Sequence, residues 1–214
     1  MTKIDENSTK EQVLEAVRQG GWALVIVNKE LRNDRDVVLA AVRQEGWLLR
    51  FASAELRGDR EVVMEAVRQN GDELQYASGA LRNDKEVVMA AVRQWGGALQ
   101  YASEALRGDR DFILATVRNG GWALACASEE LRCDRDVVIE AVKKYGKSLC
   151  WASRELRNDR EVVLAAIKNN RWALQYASDE LRKDRDFVIK AAKCLSEESL
   201  YNIITDWMHQ EIDA

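Results

Sequence analysis

The 214-residue chain is 47% hydrophobic and 32% charged, enough apolar content for a core and enough charge to keep it in water. Its net charge of −4, with acidic and basic residues interleaved throughout, argues against a surface built for nucleic acid or an anionic membrane. Proline is absent where average usage would supply about eleven, as suits a chain of short helices and tight turns.

Met1–Asn7 lacks the apolar run of a signal peptide and reads as a frayed leader. Beyond it the chain repeats. Leu-Arg-x-Asp-Arg/Lys begins at Leu31, Leu56, Leu81, Leu106, Leu131, Leu156 and Leu181, each start 25 residues after the last with no insertion. A fixed period of this size marks stacked repeats. An earlier unit lacks the Leu-Arg opening but fits the period. Thr9 stands for Asp34, Glu11 for Asp36, and Val13, Ala16 and Val17 align with Val38, Ala41 and Val42. The repeats therefore begin near Ser8.

Each unit predicts two short helices. Asp34, Asp59, Asp84, Asp109, Asp134, Asp159 and Asp184 precede apolar runs and suit N-caps. Val37, Val38, Leu39, Ala41 and Val42 then cover an arc of roughly 200°, so the first helix is expected to be buried on three sides. Asp36, Ala40, Arg43 and Gln44 lie opposite. Gly46 and its equivalents Gly21, Gly71, Gly96, Gly121 and Gly146 stand where a helix takes a left-handed C′ residue. A second helix is expected from about Trp47 to Arg57. Its apolar stripe is Leu49, Ala52 and Leu56, kept thin by alanine at Ala52, Ala77, Ala102, Ala127, Ala152 and Ala177. Asn33, Gly58, Asn83, Gly108 and Asn158 would supply the next C′ position. Isolated helices of about ten residues are marginal in water, so each must draw stability from its neighbours.

After Lys193 the pattern breaks. Leu200, Ile203, Ile204 and Trp207 follow helical spacing behind a cap at Ser196 and read as a helix covering the last repeat. The expected organisation is a leader over 1–7, one solenoid over 8–195 and a C-terminal capping helix over 196–214. The fold class is all-α, an α-solenoid of eight 25-residue helix-turn-helix repeats.

In Leu-Arg-Asn-Asp-Arg-Glu-Val-Val-Leu-Ala-Ala and Trp-Ala-Leu-Gln-Tyr-Ala-Ser the chain resembles the family described as domain of unknown function 4116. The resemblance spans about 8–193. It implies a helical repeat protein and brings no catalytic residues to carry over. Asp72, Gly97 and Lys147 depart from the family's Trp position.

No catalytic or metal constellation is legible, and no cofactor is expected. The only histidine, His209, falls in the expected cap and reads as solvated. Four cysteines (Cys126, Cys133, Cys150, Cys194) form no Cys-x-x-Cys pair and suit reduced thiols in a cytoplasmic protein. No window is apolar enough to span a membrane. Arg57-Gly58-Asp59 and Arg107-Gly108-Asp109 look like adhesion motifs, but the same turn carries Asn, Cys or Lys elsewhere. The Arg32, Arg57, Arg82, Arg107, Arg132, Arg157, Arg182 ladder is expected to stabilise helix ends and form inter-repeat ion pairs.

Specificity belongs where units differ. One variable ladder is Ile26, Phe51, Tyr76, Tyr101, Cys126, Trp151 and Tyr176. Another, one helical turn earlier, is Trp22, Trp47, Asp72, Gly97, Trp122, Lys147 and Trp172. Beside them lie Val25, Arg50, Gln75, Gln100, Ala125, Cys150 and Gln175. Two readings stand: the aromatics intercalate between repeats, or they line a groove for a protein or peptide. The candidate binding residues are Trp47, Arg50, Phe51, Asp72, Gln75, Tyr76, Gln100, Tyr101, Trp122, Trp151, Trp172 and Tyr176. Asp72 and Gly97 are expected to open space in the middle of the array. The functional reading is a non-enzymatic scaffold. The alternatives are a single-stranded nucleic-acid binder stacking bases on the ladder, which the missing positive charge disfavours, and an engineered consensus array with no natural ligand.

Overall fold

The computed structural model describes residues 4–20, 22–119 and 122–193, and every regular element among them is helical. The expected capping helix, with His209, lies outside the described residues, as do Gly21, Gly121 and Cys194. Long helices recur at the sequence period: α1 (Lys10–Gln19), α2 (Arg35–Gln44), α3 (Arg60–Gln69), α4 (Lys85–Gln94), α5 (Arg110–Asn119), α6 (Arg135–Lys144), α7 (Arg160–Asn169) and α8 (Arg185–Lys193). The chain divides into two compact units, Met1–Leu106 and Arg107–Ala214. In the first, α1 packs on α2, α2 on α3 and α3 on α4; in the second, α5 packs on α6, α6 on α7 and α7 on α8.

The aspartates cap as their positions require. Asp34 Oδ1 accepts the Asp36 and Val37 N–H groups at 3.0 and 3.2 Å, and Asp59, Asp84 and Asp134 repeat the pattern. Thr9 opens α1 through a reciprocal box with Gln12. In α2, Val37, Val38, Leu39, Ala41 and Val42 are all buried, as the wide apolar arc demands.

Two local expectations are corrected. No described residue has a φ in the left-handed region, so Gly46, Gly71 and Gly146 are not left-handed C′ residues, and neither are Asn33 and Gly58. α2 ends in extended Glu45 (φ −143°, ψ 104°), and Gly46 opens the next segment. Close approach is what requires glycine there. A Cβ on Gly71 or Gly146 would run into the carbonyl of Ala91 or Ala166 in the following repeat.

The single second helix is instead two short turns. The first is a 3-10 segment at Gly46–Phe51, Gly71–Tyr76, Gly96–Tyr101, Gly146–Trp151 and Arg171–Tyr176, and one α-turn at Ala23–Ile26 and Ala123–Cys126. The chain then straightens, at Ala52 with φ −63° and ψ 154°, before turning again at Leu56–Gly58. From the second repeat on, a backbone bond to the preceding repeat accompanies the break. Ser53 N–H leaves its own segment for the Arg32 carbonyl of the preceding repeat, at 3.0 Å, and Ser78, Ser103, Ser128, Ser153 and Ser178 do the same. The Ser53 hydroxyl oxygen then accepts the Leu56 N–H at 3.2 Å and caps the second turn. These serines are thus structural.

Candidate functional site

The 3-10 segments decide what each repeat shows. With three residues per turn, side chains at i and i+3 eclipse. Trp47 and Arg50 therefore share one line, as do Asp72 and Gln75, Gly97 and Gln100, and Trp172 and Gln175. Arg50, Gln75, Gln100, Trp172 and Gln175 are exposed on it. The next line, Leu48, Glu73, Ala98, Ser148 and Ala173, is fully buried. Phe51, Tyr76, Tyr101, Trp151 and Tyr176 follow three residues later on that same line and are half-buried.

None of the ladder aromatics belongs to the core. Trp22 is 67% exposed, Trp122 52%, Trp172 50% and Trp95 43%. Several of them meet neighbouring rings. In the first unit Trp22 and Trp47 are T-shaped at 5.2 Å between centroids, and Trp47 reaches Phe51 at 5.8 Å. In the second, Trp122 stacks on Tyr145 at 5.7 Å and tilts against Trp151 at 5.2 Å. Arg50 lies over Phe51 and Arg171 over Trp172, at 5.0 and 4.8 Å from the ring centroids. Within each unit these side chains offer apolar ring surfaces interrupted by amides and guanidinium groups.

The space expected at Gly97 is not empty. Trp95, from the turn before the segment, folds its indole over Gly97, where a Cβ would collide with it. Its ring lies 6.5 Å from that of Tyr101. The indole missing from the ladder is supplied two residues early. Beside it, Asp72 and Glu73 bring two carboxylates together. Glu73 is 4% exposed, and Asn70 Nδ2 donates to its Oε1 at 3.1 Å. Glu73 Oε2 and Asp72 Oδ1 are buried with no hydrogen-bond partner. Burial, and then the Asp72 charge, push the Glu73 carboxyl above its ordinary range. Burial also raises the Tyr101 phenol, with Asp72, Tyr76 and Glu73 adding to the shift. These four groups share one locality. Glu73 and Trp95 were missed in the sequence reading, although the period aligns Glu73 with Leu48, Ala98 and Ser148 and so places a carboxylate on a buried line.

The arginine ladder differs from expectation. Arg32 Nη2 donates to the Val25 carbonyl at 2.7 Å, and the Nε atoms of Arg32 and its six equivalents are buried without a partner. Most of the inter-repeat ion pairs come from basic residues that open long helices. Arg35 reaches Asp59 at 2.8 Å and also Glu61; Arg60 reaches Asp84 at 3.2 Å; Arg110 reaches Asp134 at 2.7 Å and Asp136 at 3.1 Å. Lys10 pairs with Asp34 and Asp36 at 2.8 Å, and those hydrogen bonds push it up to about 12.

Cys126, Cys133 and Cys150 are free, and burial pushes the Cys126 and Cys150 thiols up. Among the described residues no three His, Cys, Asp or Glu side chains are grouped to hold a metal ion. No described helix is long and apolar enough to cross a membrane.

Such an arrangement defines an all-α repeat protein whose variable side chains line the 3-10 row. The family model for "Domain of unknown function (DUF4116)" matches residues 9–57, 59–107, 109–157 and 159–203, and the chain belongs to that family. Each of the first three matches takes in two of the 25-residue repeats. No curated protein and no solved structure matches the chain.

Proposed function

We propose that this chain is a non-enzymatic scaffold that binds a peptide segment of a partner protein along the aromatic and polar face of its 3-10 segments. The observation that carries this reading is the grouping of exposed large hydrophobics. Trp22, Ile26, Trp95, Trp122 and Trp172 all lie on or at the entrance of a 3-10 segment or of the α-turn that replaces it at Ala23–Ile26 and Ala123–Cys126, and only Ile189 falls elsewhere among the described residues. Exposed aromatics concentrated on one element of each repeat are the composition of a protein-binding surface. Interspersed Gln75, Gln100 and Gln175 supply amides for hydrogen bonds to peptide backbone. The free thiols support placement in the reducing cytoplasm.

Selection from a random displayed-peptide library, followed by titration of the selected peptides, tests this. Trp122→Ala with Trp172→Ala is expected to weaken at least some selected peptides about ten-fold, roughly one lost aromatic anchor. Peptides that bind the double variant as well as the parent would remove the aromatic row from the binding face. The same titration at rising salt separates peptide from nucleic acid, since phosphate-driven binding falls steeply with salt.

A further inference from the structure

The first unit holds a cluster with no counterpart in the other repeats. Glu73 occupies a position that is otherwise small or apolar: Ala23, Leu48, Ala98, Ala123, Ser148 and Ala173. Burying a carboxylate there is unfavourable unless it meets a cation or enough donors. Its single hydrogen bond comes from Asn70, and its second oxygen has none. Asp72, one residue earlier, also has an oxygen buried without a partner. The cation that acts on Glu73 is Arg50, and its exposed guanidinium lies over the Phe51 ring. Two carboxylates thus face one locality with a deficit of positive charge.

The rest of the locality is aromatic. Tyr76 and Tyr101, one repeat apart, stand beside the carboxylates, and the Trp95 indole lies 6.5 Å from the Tyr101 ring. Trp95 is 43% exposed, while both tyrosines and Asp72 are half-buried, so the rings and Asp72 border solvent while Glu73 lies behind them. Ring faces and carboxylates both attract an organic cation, and desolvation strengthens the attraction. The donor set does not suit a metal ion, since the described residues contain no group of three ligating side chains.

We propose that Asp72, Glu73, Tyr76, Tyr101 and Trp95 form a subsite that takes the cationic side chain, lysine or arginine, of the bound peptide. This rests on the peptide-binding reading above. The cation meets Asp72 and the ring faces directly, and Glu73 acts from behind through its field. Glu73 is then kept for recognition in a position where alanine would pack more favourably.

The test has two arms. In the first, n-butylguanidinium and its neutral analogue n-butylurea are titrated against the full chain while the indole N–H signals are followed by NMR. The cation is expected to shift the Trp95 signal saturably, and butylurea is not. Glu73→Ala installs the residue four other repeats carry at this place and is expected to fold, and Asp72→Asn removes charge at constant size. Each is expected to weaken the cation by about ten-fold, the loss of one charge-assisted contact. In the second arm, peptides selected against the parent chain are compared with variants in which each Lys or Arg is replaced by norleucine. Equal response to butylguanidinium and butylurea, or unchanged cation affinity in both protein variants, overturns the subsite. Selected peptides that lose affinity in Trp47→Ala, in the same unit as the subsite, but tolerate norleucine throughout overturn the subsite and leave the peptide-binding face standing. A library that returns no binder, with a saturable butylguanidinium shift lost in Glu73→Ala, overturns the face and keeps the cation site.

Discussion

The side-chain carbonyl of Gln69 accepts the N–H of Gly46 at 2.8 Å from the following repeat, while its amide donates to the Val42 carbonyl at 2.8 Å. One side chain thus closes the C-terminal end of the neighbouring helix. Asn169 does the same for Gly146, at 2.7 Å, and for Lys143. In both units the helix end is satisfied across repeats instead of by a left-handed residue of its own. Gln69→Ala is expected to lower stability by about 1 kcal/mol, the net worth of a hydrogen bond or two at a half-exposed site. Exposed Arg68→Ala is the control, expected within ~0.5 kcal/mol of the parent. Equal urea midpoints for the two variants would show that the bridge carries no weight.

Gly71 and Gly79 separate close approach from backbone freedom. A Cβ at Gly71 meets the Ala91 backbone, whereas a Cβ at Gly79 meets nothing within 4 Å. Gly71→Ala is expected to lose ~1–3 kcal/mol through overpacking. Gly79→Ala is expected to gain ~0.4–1 kcal/mol by restricting the unfolded chain. Thermal or urea unfolding of the pair checks both signs, and a gain at Gly71 would contradict the contact between repeats.

The buried arc of the long helices yields a second contrast. Ala91 is fully buried, whereas Ala40 is partly exposed and Glu15, Glu65 and Glu140 stand at its position in other repeats. Ala91→Leu is expected to lose ~1–3 kcal/mol, and Ala40→Glu to be neutral within ~0.5 kcal/mol. Denaturation midpoints that move together would mean the wrong face has been assigned.

The repeat, the capping aspartates and the buried arc are legible because each depends on local chemistry read at a fixed period. Asp34 caps because an oxygen sits two and three residues before free amides, and Val38 is buried because its neighbours at helical spacing are apolar. What escaped reading lies between repeats. Ser53, at the break in the second helix, bonds to Arg32, and Gly46 answers to the Ala66 carbonyl, 3.0 Å from where its Cβ would be. Arg35, not Arg32, reaches the next repeat's Asp59. At the candidate face, the variable positions were legible as variable. The 3-10 geometry that buries Glu73 and exposes Gln75 was not, because an α-helical period assigns those faces differently.

Two titrations should run in opposite directions with pH. The Arg110 guanidinium, with the Val137 and Asp136 amides, holds Asp134 below its ordinary value despite some burial. A depressed carboxylate stabilises the fold above the unfolded value near 3.8, and that stability is lost as pH falls through the lower folded value. Stability is therefore expected to drop below about pH 4. Glu73 is raised instead, so its penalty is absent below the ordinary value of 4.5 and grows as pH rises toward the folded value. Glu73→Ala is expected to stabilise the chain by ~1–3 kcal/mol at neutral pH, with the gain shrinking in acid. Urea midpoints of both proteins across pH check this, and a gain independent of pH would contradict a charged Glu73.

The measurement that bears most directly on the aromatic face is made on Tyr76→Ala combined with Tyr101→Ala. Urea unfolding and affinity for the selected peptides are recorded on the same protein. Half-exposed rings on a binding face are expected to lose far less than the ~3–5 kcal/mol of a buried ring each, while peptide affinity falls about ten-fold or more. A loss of stability at the buried-ring level, or full peptide affinity in a stable double variant, would contradict that face.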